Sequence, residues 1–171
     1  LSKIADAGFK YIEISIAHKS GLSQMTDAEV IDLLTTKRNQ AAANGLTVWS
    51  IHLPFEDKVW TNIGGEEAIR CQSVENIMRV LRLCNQAIPE CKNYVLHASK
   101  SVNPSATAIS QAHKSLEEMD VVAKQFGVRF CVENLVGSFC YTIDDHKAVI
   151  EPFDNVFATF DIGHANCKAY D

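Results

Sequence analysis

Apolar residues along this chain recur at two periods, and the period switches repeatedly from one end to the other. Short runs rich in β-branched and aromatic residues occupy 11–15, 47–52, 94–97, 128–133 and 156–161. Stretches with helical spacing lie between them. The first ends near Phe9, with Ile4 on its apolar face and Gly8 as its stop. The second begins at Thr26 or Asp27 and runs to about Asn44, with Val30, Ile31, Leu33 and Leu34 as its stripe and Gly45 as the left-handed stop. The third, about 66–86, repeats Ile69, Val74, Ile77, Val80, Leu81 and Cys84. A fourth has Pro104 in its first turn and stops at Gly127. The last opens at Thr142, with Asp145 three residues on, and ends before Pro152. Helix then strand, five times over, predicts parallel strands joined by right-handed helical crossovers.

The chain of 171 residues is long enough for one domain with a real core, and neither a linker nor a low-complexity tract interrupts it. Hydrophobic residues make up 47% and charged residues 22%, the balance of an ordinary globular protein. A net charge of -5 gives no dominant basic field, so nucleic-acid binding is disfavoured. Apolar runs fall well short of the roughly 20 residues of a membrane span. No secretory signal is visible in the sequence as it begins at Leu1, and the expected location is the cytoplasm. The six cysteines, at 71, 84, 91, 131, 140 and 167, form neither a Cys-x-x-Cys pair nor a zinc-ribbon spacing. Reduced cysteine, with Cys71, Cys84 and Cys131 buried in apolar contexts, is the expectation.

Chemistry gathers at the ends of the strand-like runs. Two end in histidine, at His52 and His97, and two in an acid, at Glu133 and Asp161, with His164 three residues further on. A carboxylate buried unpaired in an apolar strand is costly, but the carboxyl end of a parallel strand opens onto the site of an α/β barrel. Two imidazoles and two carboxylates are the donors that a divalent cation takes. Each residue also has a plainer use: Glu133 as a helix cap, Asp161 as an N-cap or turn residue before Gly163, the histidines as satisfied structural groups. The long loop 53–65 contains Pro54, Trp60 and two glycines. No Gly-rich phosphate loop, nucleophile elbow or serine triad signature is present.

Five segments together resemble the xylose isomerase-like (β/α)8 barrel superfamily, in particular its sugar phosphate isomerase/epimerase branch. They are Ala7-Gly-Phe-Lys-Tyr-Ile-Glu13, Gly45-Leu-Thr-Val-Trp-Ser-Ile-His-Leu-Pro-Phe55, Val95-Leu-His97, Val132-Glu-Asn-Leu135 and Phe160-Asp-Ile-Gly-His-Ala165. Each is weak alone; their order and spacing carry the resemblance across nearly the whole chain. It implies an α/β fold, a TIM barrel represented by an incomplete barrel of about five β/α units. By that alignment 11–15 is the second strand and 156–161 the sixth. The first, seventh and eighth strands are then missing from these 171 residues, since a barrel of this type needs on the order of 250.

The resemblance also implies roles. Glu133 matches a metal ligand that moves the proton in several epimerases, and Asp161 matches a second ligand. His164 matches a residue that contacts substrate oxygens in epimerases and ligates metal in the related apurinic endonucleases. His52 and His97 match zinc-binding positions of the endonuclease branch and face substrate more often in the isomerases. Glu13 and Trp60 are candidates for the pocket wall; Lys100 is a weak candidate for a phosphate. His18, His113 and His146 read as solvated or structural. The expectation is a metal-dependent isomerase or epimerase, taking a sugar or sugar phosphate, with Mn, Mg, Zn or Co as cofactor. Its reaction is proton transfer next to a carbonyl through a metal-held enediolate. A homo-oligomer is compatible with the sequence. The rivals are a multi-zinc apurinic endonuclease-like phosphodiesterase and a non-catalytic sugar-binding barrel.

Overall fold

The computed structural model describes residues 1–16, 22–55, 62–99 and 105–167. In chain order these form α1 (Ser2–Asp6), β1 (Tyr11–Ser15), a 3-10 turn (Leu22–Gln24), α2 (Asp27–Ala43), β2 (Thr47–His52), α3 (Glu67–Ala87), β3 (Asn93–His97), α4 (Ala106–Phe126), β4 (Arg129–Glu133), α5 (Ile143–Ile150), β5 (Val156–Thr159) and α6 (Ile162–Asn166). The five strands pair in sequence order, every pair parallel, as helical crossovers require.

Local chemistry sets the helix ends. The Thr26 hydroxyl accepts from the Glu29 N–H while the Glu29 carboxylate accepts from the Thr26 N–H, closing a capping box on α2. Thr142 and Asp145 do the same for α5. Gly127 ends α4 at φ 60°, a conformation that costs a side chain dearly.

Side chains alternate across each strand, which gives the sheet two faces. Tyr94, Leu96, Phe130 and Val132 point under the helices and are at most 2% exposed. They pack into one core with Ile77, Leu81, Leu116 and Met119 of α3 and α4. The other face carries Tyr11, Trp49 and Phe157, which remain 59%, 57% and 44% exposed. Tyr11 meets Trp49 edge-on at 5.5 Å, and the Arg129 guanidinium lies over the Phe157 ring. Trp49 is the extra residue of a bulge, because the β1–β2 register moves from Ile12–Val48 to Glu13–Ser50.

Three local expectations are corrected. Ile69, expected on the apolar stripe of α3, is exposed, and its neighbour Arg70 is buried instead. The Arg70 guanidinium reaches Glu67 at 2.8 Å, Glu118 of α4 at 2.9 Å and the Ser115 hydroxyl at 3.3 Å, so its charge enters the helix interface fully partnered. Cys71, expected to be buried, is exposed; Cys84, Cys91 and Cys140 are buried, and all six cysteines are free. The last strand, expected to run to Asp161, stops at Thr159, and Asp161 is the N-cap of α6. No described helix is long and apolar enough to cross a membrane.

Candidate functional site

Parallel pairing brings the strand ends level. His97 of β3 lies in register with Glu133 of β4, and β2 ends at His52 beside Val95. The Glu133 side chain, only 7% exposed, thereby becomes a meeting point. His52 Nε2 stands 2.9 Å and His97 Nε2 3.1 Å from the same oxygen, Glu133 Oε2. The other oxygen, Oε1, has His164 Nδ1 at 3.3 Å. Asp161 completes the group, its Oδ1 4.0 Å from His164 Nδ1.

The hydrogen on His52 can be placed. Nδ1 lies 2.8 Å from the Leu53 carbonyl, which only accepts, so Nδ1 carries a hydrogen. A neutral His52 then turns the bare lone pair of Nε2 toward a carboxylate oxygen. Two facing acceptors are tolerated only when a proton or a cation lies between them. In the metal-free protein a proton serves, at pH values below the raised His52 pKa. Burial lowers the His52 pKa, but the hydrogen bond to Glu133 and the bond to Leu53, with the negative charges of Glu133 and Glu13, outweigh it and raise the pKa overall. Burial likewise raises the Glu133 pKa, and the hydrogen bonds and charge of His52 and His97 reverse this, holding the carboxyl well below the usual carboxylate range.

The donor set also fits a divalent cation. The ligand atoms of His52, His97 and Glu133 lie within 4.8 Å of one another, as do those of Glu133, Asp161 and His164. Imidazole nitrogen and carboxylate oxygen suit zinc, cobalt or manganese, and a carboxylate-rich variant of the site suits magnesium.

Phe55 and Asn134 also belong to this group; both stand in segments that carry the resemblance, but neither is given a role by it. Phe55 stacks at an angle on both imidazoles, 4.6 Å from the His52 ring and 5.1 Å from that of His97. Asn134 is 2% exposed and bonds to both Asp161 and His164. The available signal was adjacency: Phe55 follows His52 by three residues and Asn134 follows Glu133 directly.

Glu13 does not join the cluster. It sits on β1, exposed, and accepts a hydrogen bond from the Ser50 hydroxyl at 2.7 Å. Trp60, Lys100 and His18 lie outside the described residues. His146 is buried, with its ring nitrogens 3.0 Å from the Thr142 carbonyl and 3.2 Å from that of Val132, a structural tie between α5 and β4. His113 bonds to the Ala148 carbonyl. An apolar cleft of about 270 Å³ opens between α5 and β5, lined by Ile143, Ile150 and Phe160 among others; it meets the site at Asn134 and contains none of the site's histidines or acids.

The fold has clear relatives among solved structures. A D-tagatose 3-epimerase-like protein superposes with a TM-score of 0.71 at 22% identity, covering 97% of this chain and 61% of that one. An L-ribulose 3-epimerase gives a TM-score of 0.74 at 22% identity, over 97% of this chain and 55% of that one. A xylose isomerase-like TIM barrel protein from Mycobacterium smegmatis, in complex with magnesium, gives 0.64 at 15% identity, over 95% and 55%. The chain thus spans between 55% and 61% of these structures. No curated protein matches its sequence. The sequence profile of one family matches residues 1–171 from end to end: the chain belongs to the xylose isomerase-like TIM barrel family.

Proposed function

We propose that this chain forms the greater part of a metal-dependent isomerase or epimerase acting on a sugar or sugar phosphate. The observation that carries the reading is the meeting of His52 and His97 on Oε2 of Glu133, with His164 at Oε1. The 3-epimerase names of its structural relatives support it. Glu133 and Asp161, with His52 and His97 beside them, would hold the cation.

Glu133 is the group that removes the proton from a carbon next to the carbonyl. Its Oε2 is occupied by two imidazole nitrogens, so Oε1 is the atom that receives the proton, with the His164 ring, held by the Asn134 carbonyl, 3.3 Å away. A carboxylate held strongly ionised is a weak base, so the carbon must be acidified. A bound Mn, Mg, Zn or Co ion supplies that acidity as a Lewis acid at the sugar carbonyl. Phe55 excludes water from one side of the two imidazoles. The second acid/base and the remaining ligands come from further strands of the same barrel, which would also cover Tyr11, Trp49 and Phe157. Six free cysteines suit a reducing compartment such as the cytoplasm.

The test is solvent deuterium incorporation into a panel of ketoses and ketose phosphates by the intact, cation-loaded protein. Exchange at a carbon adjacent to the carbonyl is the expected result. An absence of exchange with nicking of abasic DNA would replace this reading with the phosphodiesterase one. Sugar binding without exchange would leave a binding barrel.

A further inference from the structure

Asn134 is the first residue past the end of β4 and is almost fully buried. Every polar atom it owns is committed. Its backbone N–H donates to the Thr159 carbonyl at 3.3 Å, the last link of the β4–β5 pairing. Its side chain continues where the strands stop: Oδ1 accepts from the Asp161 N–H at 2.6 Å, and Nδ2 donates to the Asp161 carbonyl at 3.0 Å. One amide side chain therefore pairs with both backbone polar groups of Asp161, as a neighbouring strand would. The opposite amide orientation would set donor against donor and acceptor against acceptor, so the network fixes it. The Asn134 carbonyl accepts from His164 Nδ1 at 2.9 Å, which places the hydrogen of that ring on the nitrogen beside Glu133 Oε1. The Asp161 carboxylate in turn accepts from the His164 N–H at 2.6 Å. Asp161 is the N-cap of the short α6 beyond the sheet's edge strand and His164 lies within that helix, which the Tyr141 hydroxyl also ties through the Ala165 carbonyl at 3.4 Å.

We propose that Asn134 is a positioning residue: by clamping the Asp161 backbone and the His164 ring, it sets the Asp161 carboxylate beside Glu133 in the geometry that grips a divalent cation, and fixes the His164 ring next to the pair. This inference rests on the metal-dependent reading above. The pairing is two-point, so the Asp161 backbone cannot move away from β4 without breaking two part-buried hydrogen bonds at once, and the His164 N–H holds the carboxylate.

The experiment compares the intact protein with Asn134→Leu and Asn134→Asp. Three quantities are read: Mn²⁺ affinity by calorimetry, the visible absorption spectrum of the Co²⁺-loaded protein, and the urea unfolding midpoint of the metal-free protein. Leucine keeps the branched heavy-atom skeleton, though it is bulkier, and removes both side-chain bonds. It should weaken Mn²⁺ binding by roughly 10–100-fold, the usual cost of losing a group that orients a ligand, and shift the Co²⁺ bands. Parental affinity and a parental Co²⁺ spectrum in Asn134→Leu would overturn the proposal, whatever the urea midpoint does. If Asn134→Leu fails to fold, Asn134→Asp decides. It keeps the acceptor toward the Asp161 N–H and turns a second acceptor on the Asp161 carbonyl. Charge alone would strengthen cation binding, whereas lost positioning weakens it. Weaker binding supports the clamp; equal or stronger binding overturns it. A parent protein that binds no Mn²⁺ sinks the metal-dependent reading and this inference together; a parent that binds while its variants match it sinks the clamp alone.

Discussion

His52 bridges two acceptors: its Nδ1 faces the Leu53 carbonyl at 2.8 Å and its Nε2 faces Glu133 Oε2 at 2.9 Å. The ring satisfies both only as an imidazolium or with a cation at Nε2. This ties the stability of the site to both pH and metal.

The stability of the metal-free protein should depend on pH through this pair. The folded-state pKa of His52 is raised above its ordinary 6.5, so its contribution is full below that value and is lost as pH rises through the folded-state pKa. The Glu133 pKa is depressed below its ordinary 4.5, so its contribution is full above that value and is lost as pH falls through the depressed one. Both operate between 4.5 and 6.5. Thermal melts across pH should place this pair's contribution there, with a decline toward pH 8 that His52→Gln reduces. Saturating Zn²⁺ should also reduce the decline, because the cation replaces the proton at Nε2. An unchanged pH profile in His52→Gln would show that the pair does not couple folding to protonation.

Phe55→Leu should loosen the imidazoles without removing a ligand. Aromatic contacts of this kind contribute about 0.5–1.5 kcal/mol each beyond area burial, and Phe55 makes two, so a loss of roughly 1–3 kcal/mol is expected in urea unfolding. Cation affinity should fall several-fold. A Tyr at 55 should retain most of both, since it keeps the ring.

Arg70 offers a stability prediction away from the site. Its side chain is 5% exposed and pairs with Glu67 and Glu118, whose side chains are 57% and 53% exposed. Arg70→Ala should cost roughly 0.5–3 kcal/mol, below the cost of a stranded buried charge, because both carboxylates left behind reach water and the loss is mainly packing. Arg70→Met should recover much of that by filling the volume. Urea midpoints measure both, and a larger loss in Met than in Ala would refute the packing argument.

The element order is legible in the sequence because each strand is a run of β-branched and aromatic residues and α2, α4 and α5 carry their own cap or stop, as Thr26, Gly45, Gly127 and Thr142 show. The convergence of His52, His97 and Glu133 follows as soon as the strands are parallel, since strand ends then share one edge. Asp161 was misplaced in the strand for an instructive reason. Its backbone does have a pairing partner, but that partner is the side chain of Asn134, 27 residues away, and no local pattern records it. Arg70 is similar: on the helical pattern it competes with Ile69 for the interface, and it wins because Glu118, 48 residues on, supplies a carboxylate. Periodicity reports burial of apolar groups and is silent on polar groups whose burial depends on distant partners.

Glu133→Gln separates the structural part of the site from its chemistry. The amide is nearly isosteric, and its NH2 can donate to the bare Nε2 of a neutral His52, so the fold should persist and the His52-linked loss of stability at high pH should shrink. The carboxylate charge is gone, so affinity for Mn²⁺ or Zn²⁺ should fall by at least an order of magnitude. An amide accepts no proton from carbon, so deuterium exchange at the carbon next to a ketose carbonyl should fall to background even at cation concentrations that saturate the variant. Saturation is the informative condition: it removes weakened binding as the cause and leaves the missing base. A saturated Glu133→Gln variant that exchanges label at the parental rate would move the base to another residue and leave Glu133 as a ligand alone.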